Sequence, residues 1–130
     1  MITLKQFLNW LKPLIDYGYS ISIGKIDQNK EKAICFYDDA NSGDPVLAIG
    51  GIDLTSYDLK PIKILMRWTK NADTAETYAR DIFQKLLGVS FFIDGKQCFI
   101  RLLCPQPIAI GTDDKGVYEY VIKLILIYER

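Results

Sequence analysis

Residues 117–130 read VYEYVIKLILIYER, and apolar character alternates along the whole stretch. Tyr118, Tyr120, Ile122, Leu124, Leu126 and Tyr128 fall on one side, with Val117, Glu119, Val121, Lys123, Ile125, Ile127 and Glu129 on the other. A period of two is the pattern of a β-strand. At about 3.3 Å per residue, the run from Tyr118 to Tyr128 spans roughly 36 Å, well beyond the usual strand of about five or six residues. Such a strand serves more than one neighbour and belongs in the middle of a sheet. Its even side is wholly apolar or aromatic and should lie on a core. Its odd side mixes Val121, Ile125 and Ile127 with Glu119, Lys123 and Glu129. That suits either a surface meeting a partner across a polar rim or a face covered by the chain's own helices and loops.

The segment feeding this strand, PQPIAIGTDDKG at residues 105–116, holds two prolines and two glycines and is expected to be irregular. Ile108, Ala109 and Ile110 within it then need burial. Upstream, residues 89–93 and 97–103 flank Asp94 and Gly95, a favoured two-residue hairpin turn. Before that lies the clearest helix. Asp73 is its expected cap with Glu76 three residues on, and Ala75, Tyr78, Ala79, Ile82, Phe83, Leu86 and Leu87 form its stripe. Gly88 ends it. Glu76 with Arg80, and Asp81 with Lys85, add pairs on its outer face.

Pro61 is expected to open a strand, PIKILMRWT, with Ile62, Ile64, Met66 and Trp68 on one face. Residues 38–60 form a long polar excursion with one short strand at residues 46–49, ended by Gly50 and Gly51. Residues 20–26 and 33–37 read as two strands of a hairpin about the polar run 27–32. At the N-terminus Thr3 and Gln6 make a capping box, and Leu4, Phe7, Leu8, Leu11, Leu14 and Ile15 share a helical stripe. The helix should run over residues 4–17, with Pro13 kinking it or ending it near Lys12. The layout is α+β: a mostly antiparallel sheet of about five to six strands with two helices packed on it.

At 130 residues the chain has the length of a single domain able to bury about two-thirds of its unfolded surface. Sixteen basic residues balance sixteen acidic ones, and no basic run exceeds a pair, which argues against general phosphate-backbone binding. Three cysteines without CxxC spacing suggest reduced, mostly buried thiols in a cytoplasmic setting. No signal peptide is expected, and no apolar run approaches membrane-spanning length.

Histidine is absent, so the sequence offers no serine–histidine triad and no histidine base or metal ligand. Three scattered cysteines do not make a four-ligand zinc site, and Gly50-Gly51 lacks the lysine of a phosphate loop. Asp113-Asp114 before Gly116 lacks the alternating ligands of a calcium loop and reads as a turn. The sharpest enzymatic reading takes Asp58 and Lys60, with Asp44 or Asp53 upstream, as the acid-x-lysine pair of a magnesium-dependent nuclease. Against it, the motif precedes Pro61 and so falls before the expected strand. Tyr17, Tyr19, Phe36, Tyr37 and Trp68 lack surrounding basic residues and read as core and sheet-face aromatics, not a stacking platform. A small ligand-binding or immunity-type domain is a third reading.

The order of elements and several phrases resemble the minor capsid or tail terminator proteins of tailed bacteriophages. These are the N-terminal amphipathic helix, the strand–helix unit KPIKILMRWTKNADTAETYARDIFQKLL, the loop CPQPIAIGTDDKG and the long last strand YEYVIKLILIYER. The resemblance implies a small α+β subunit with no enzymatic activity or cofactor. It implies a homo-oligomeric ring, usually six-fold, that caps the head-proximal end of the tail tube and contacts tube and neck proteins. It further implies a virion location after assembly in the host cytoplasm, with no membrane and no sequence-specific nucleic acid. A ring needs repeated heterologous contacts. The candidate residues for them are Ile108 and Ile110 of the loop with Val121, Lys123, Ile125 and Ile127 of the odd face. Lys25, Lys30, Lys32, Asp38, Asp39 and Asp44 lie in excursions that face either tube and neck or solvent alone.

Overall fold

The long alternating run becomes the spine of the sheet. The structure is a computed structural model that describes residues 1–15, 20–26, 31–39 and 45–130. The chain runs α1 (Leu4–Leu11), β1 (Ser20–Ile23), β2 (Ala33–Asp38), β3 (Tyr57–Arg67), α2 (Ala72–Leu86), β4 (Ser90–Ile93), β5 (Lys96–Leu102), β6 (Ile108–Thr112) and β7 (Tyr118–Glu129). Short 3-10 turns lie at Lys12–Leu14 and Ile52–Leu54. The seven-stranded sheet has the order β1-β2-β3-β7-β5-β4, with β6 also on β7. One edge of β7 pairs with β3 from Glu129 opposite Tyr57 to Glu119 opposite Arg67. Its other edge is shared, by β5 from Tyr128 to Leu124 and by β6 from Val121 to Tyr118. The fold is therefore α+β and mostly antiparallel, as the alternation implied.

The even side of β7 is the core side. Ile122, Leu124, Leu126 and Tyr128 pack with Ile62, Ile64, Met66 and Trp68 of β3 and the segment after it, with Ile34 and Phe36 of β2, and with the buried stripes of both helices. Phe7 of α1 meets Phe36 on β2 with ring centroids 5.9 Å apart, while Trp10 stacks on Phe91 of β4 at 3.6 Å. Strands β2 and β4 stand far apart in the sheet order, so one short helix touches both only because the sheet curls round it. Both helices pack on this concave side, and the opposite side chains of the strands, which are the odd residues in β2, β3, β5 and β7 and the even ones in β4, form the convex outer face.

Several local expectations hold. Thr3 and Gln6 form the capping box of α1, and the helix gives way to the 3-10 turn at Lys12–Leu14, where Pro13 cannot donate to the preceding turn. Asp94 and Gly95 both adopt positive φ, 51° and 72°, the mirror-image turn that matches strand twist. The pairs Glu76–Arg80 and Asp81–Lys85 form at 3.1 Å each. The cap of α2 is Asn71 and not Asp73: the Asn71 side chain accepts the Thr74 N–H, and Asp73 sits in the first turn.

Other expectations are overturned. Strands β1 and β2 pair in parallel, Ser20 opposite Ala33 through Ile23 opposite Phe36, so they are not a hairpin. Gly24 at φ 78° turns the chain out of β1, and Ile26 is buried against Ala33 and Cys35 on the outer face. Residues 46–49 make no strand: one bridge joins Ala48 to Gly51, and Leu47 and Ile49 are exposed. Strand β3 begins at Tyr57, four residues before Pro61. The Pro61 carbonyl accepts from Asp39 N–H, just past the end of β2. The missing Pro61 N–H points to the same flank, so it removes a bond only where that ladder already ends. Residues 108–112 are strand and not irregular loop. Pro105 and Pro107 precede β6, and the register shift between Ala109 and Gly111 lets Gly111, at φ 99°, absorb an extra residue as a bulge.

Candidate assembly surface

Strand register fixes which side chains share the outer face. One row runs Ser90, Phe99, Ile127, Leu59 across β4, β5, β7 and β3. The next holds Arg101, Ile125 and Pro61. A third sets Lys123 directly opposite Lys63, which stands opposite Tyr37. A fourth runs Ile108, Val121, Leu65, Cys35. The structure thus brings Ile108, Val121, Lys123, Ile125 and Ile127 onto one face, with Ile110 in the β6 bulge beside them and half exposed. Val121 and Ile125 are only 8% exposed, flanked by longer neighbours; Lys123 is exposed and Ile127 half-buried.

Three further exposed apolar residues of this face were not among the sequence candidates. Phe92 is 67% exposed, and Phe99 and Leu103 are also open to solvent. Alternation alone does not select Phe92, because β4 reads SFFI and Phe91 and Phe92 are interchangeable until pairing with β5 sends Phe91 inward beside Cys98. Three cations lie among these residues: Lys63, Arg101 and Lys123. Among the described residues none of the three makes an ion pair. Lys63 Nζ sits 5.6 Å from the centre of the Tyr37 ring. Beside Arg101, a shallow recess of about 370 Å3 opens between the end of α2 and β5, lined by Phe83, Leu87, Phe99, Cys104 and Pro105.

At the other end of the face Arg67 is only 4% exposed and pairs with Asp113. Asp113 also accepts the N–H groups of Val117 and Lys115, each at 2.9 Å. The Val117 N–H above all, then the Lys115 N–H and the Arg67 guanidinium, hold its carboxyl below the usual carboxylate range against the opposing pull of desolvation. Burial pushes Glu119, opposite Arg67, upwards. These groups line a half-open cavity of about 450 Å3 with Tyr37 and Leu65. They tie the turn at residues 113–117 to β3 and so set where β7 begins.

The acid-x-lysine reading places differently from its expectation. Asp58 and Lys60 lie inside β3 and not ahead of a strand. Lys60 pairs with Asp38 at 2.8 Å. Asp58 accepts the Leu59 N–H at 2.8 Å, and Arg130 stands 3.8 Å away. Asp53 is exposed in a separate loop, and Asp44 lies outside the described residues. Among the described residues no group of three or more carboxylates or thiols is placed to hold a metal. Phe36 and Trp68 are core, and Tyr37 is half-buried on the outer face; Tyr17 and Tyr19 lie outside the described residues. Of the remaining loop charges, Lys25 is exposed, Lys32 Nζ lies 5.5 Å from the Trp68 ring, Asp39 is half-buried, and Lys30 lies outside the described residues.

No helix among the described residues is long and apolar enough to cross a membrane. No curated protein matches the chain. A family model described as bacteriophage tail terminator protein matches residues 12–130, which takes in the whole sheet and α2. The chain belongs to the bacteriophage tail terminator family, and is a structural protein of the phage tail.

Proposed function

We propose that the protein is one subunit of a ring, six-fold in symmetry, that caps the head-proximal end of the tail tube and joins it to the neck. Adjacent subunits meet through the outer sheet face, around Ile108, Ile110, Val121, Lys123, Ile125 and Ile127. The observation that supports this most is the uncovered state of that face. Both helices pack on the concave side, which leaves Phe92, Phe99 and Leu103 exposed among cations that make no ion pair among the described residues. Exposed apolar area rimmed by charge is the composition of a protein interface. No cofactor enters this role, and the ring acts by shape and contact.

Purified protein mixed with tail tubes lacking it provides the test. Negative-stain images should show a ring seated at one end only, and the tubes should stop elongating. Binding along the tube wall, or no binding, would remove the terminator role.

A further inference from the structure

Charge is unevenly distributed along a chain whose net charge is zero. Residues 38–58 carry five aspartates and no lysine or arginine; Asp38 pairs with Lys60 and Asp58 with Arg130, and Asp53 is the acid of residues 45–56. Residues 45–56 within this stretch carry four exposed apolar side chains, Leu47, Ile49, Ile52 and Leu54. This part is nonetheless built. The Thr55 hydroxyl, buried at the base, accepts the Ala48 N–H at 2.9 Å and donates to the Gly51 carbonyl at 3.0 Å. A Cβ at Gly50 would lie 2.1 Å from Leu54 Cδ1, so the loop closes tightly on itself there. These ties shape a knob that presents apolar side chains outward, a cost to solubility with no return inside the subunit.

The centre of the outer face is basic, between Glu119 and Glu129 at its two ends. Lys63 and Lys123 stand directly across from each other, a like-charge pairing that destabilises a sheet. Arg101 lies two residues along β5 from Phe99 and lines the apolar recess. We infer that the knob at residues 45–56 of one copy docks on the outer face of the next. Ile49 and its apolar neighbours enter the recess beside Phe99, and Asp53 comes to lie among Lys63, Arg101 and Lys123. This rests on reading the chain as a ring subunit, and it names both halves of the contact. Knob and face are different patches, so the contact is heterologous and repeats from copy to copy, the geometry that can close a ring. An incoming carboxylate relieves the lysine–lysine repulsion, so charge favours the docked state and selects its register.

Cysteine cross-linking tests it. Cys35 and Cys98 are buried, and Cys104, which lines the recess, is the more accessible thiol. Ile49→Cys and Leu54→Cys each place a thiol on the knob. Treated with oxidised glutathione, either variant is expected to give a ladder of linked copies on a non-reducing gel, and Cys104→Ser added to it should cut the ladder back to dimers at most. Asp53→Lys should move the assembly midpoint to about tenfold higher concentration. Rings seen in the microscope with no ladder from either thiol and an unmoved Asp53→Lys midpoint would overturn the docking and leave the ring reading standing. A protein that stays monomeric at every concentration and never links overturns both.

Discussion

The lysine pair at the centre of the outer face separates what folds the subunit from what assembles it. Lys63 and Lys123 sit opposite each other in the β3–β7 ladder, where opposite charges would contribute about 0.5 kcal/mol and like charges cost a similar amount. Lys123→Glu should therefore raise the thermal midpoint of the isolated subunit while weakening assembly. Assembly left intact would show that Lys123 has no interfacial role, and a lowered midpoint would show that the lysine pair does not strain the sheet. Asp113 makes a second prediction at this scale. Its folded-state pKa is lowered, so its contribution is present above the ordinary carboxylate range and is lost as pH falls through the lowered value. Asp113→Asn should reduce stability at neutral pH and flatten the acid limb of a urea-midpoint profile. An unchanged acid limb would mean that Arg67 and the two backbone N–H groups do not hold this carboxylate in the charged form.

At the scale of elements, sequence patterning was readable wherever one segment decided its own structure. The alternation of β7, the stripes of both helices up to Leu11 and Leu86, the Thr3–Gln6 capping box and the Asp94-Gly95 turn are local signals, and each appears where the residues place it, whereas Leu14 and Leu87 at the stripe ends fall outside α1 and α2 and are exposed. What failed depended on neighbours. Proline and glycine at residues 105–116 signal a loop, but β6 needs only one partner edge and a bulge at Gly111 to pair with β7. The parallel setting of β1 and β2 is hidden because a hairpin and a crossover share the same strand pattern; burial of Ile26 on the outer face marks the difference. The candidate surface was half legible for the same reason. The odd side of β7 could be read from its own residues, whereas Phe92, Phe99 and Lys63 join it only through register. The bulge carries its own test: Gly111→Ala, at φ 99°, should cost about 1–2 kcal/mol in chemical denaturation, and no loss would mean the bulge relaxes without strain.

Across the whole molecule, the curl of the sheet round α1 gives the two faces separate duties. The concave face holds the fold, so Leu124→Ala, fully buried, should cost about 2–5 kcal/mol. The convex face is exposed where Phe92 stands, and substitution there should change stability by only about 0.5 kcal/mol. Phe92→Asp should nevertheless abolish self-association, since it sets a carboxylate one row from Phe99, where the apolar knob with Asp53 on it is expected to dock. Light scattering of the native chain and Phe92→Asp across a concentration series, with circular dichroism to verify the fold, tests this division most directly. The expected result is a native mass near six times 14.9 kDa and a folded Phe92→Asp that remains a monomer. A native chain that is monomeric throughout, or a Phe92→Asp that assembles like the native chain, would contradict it.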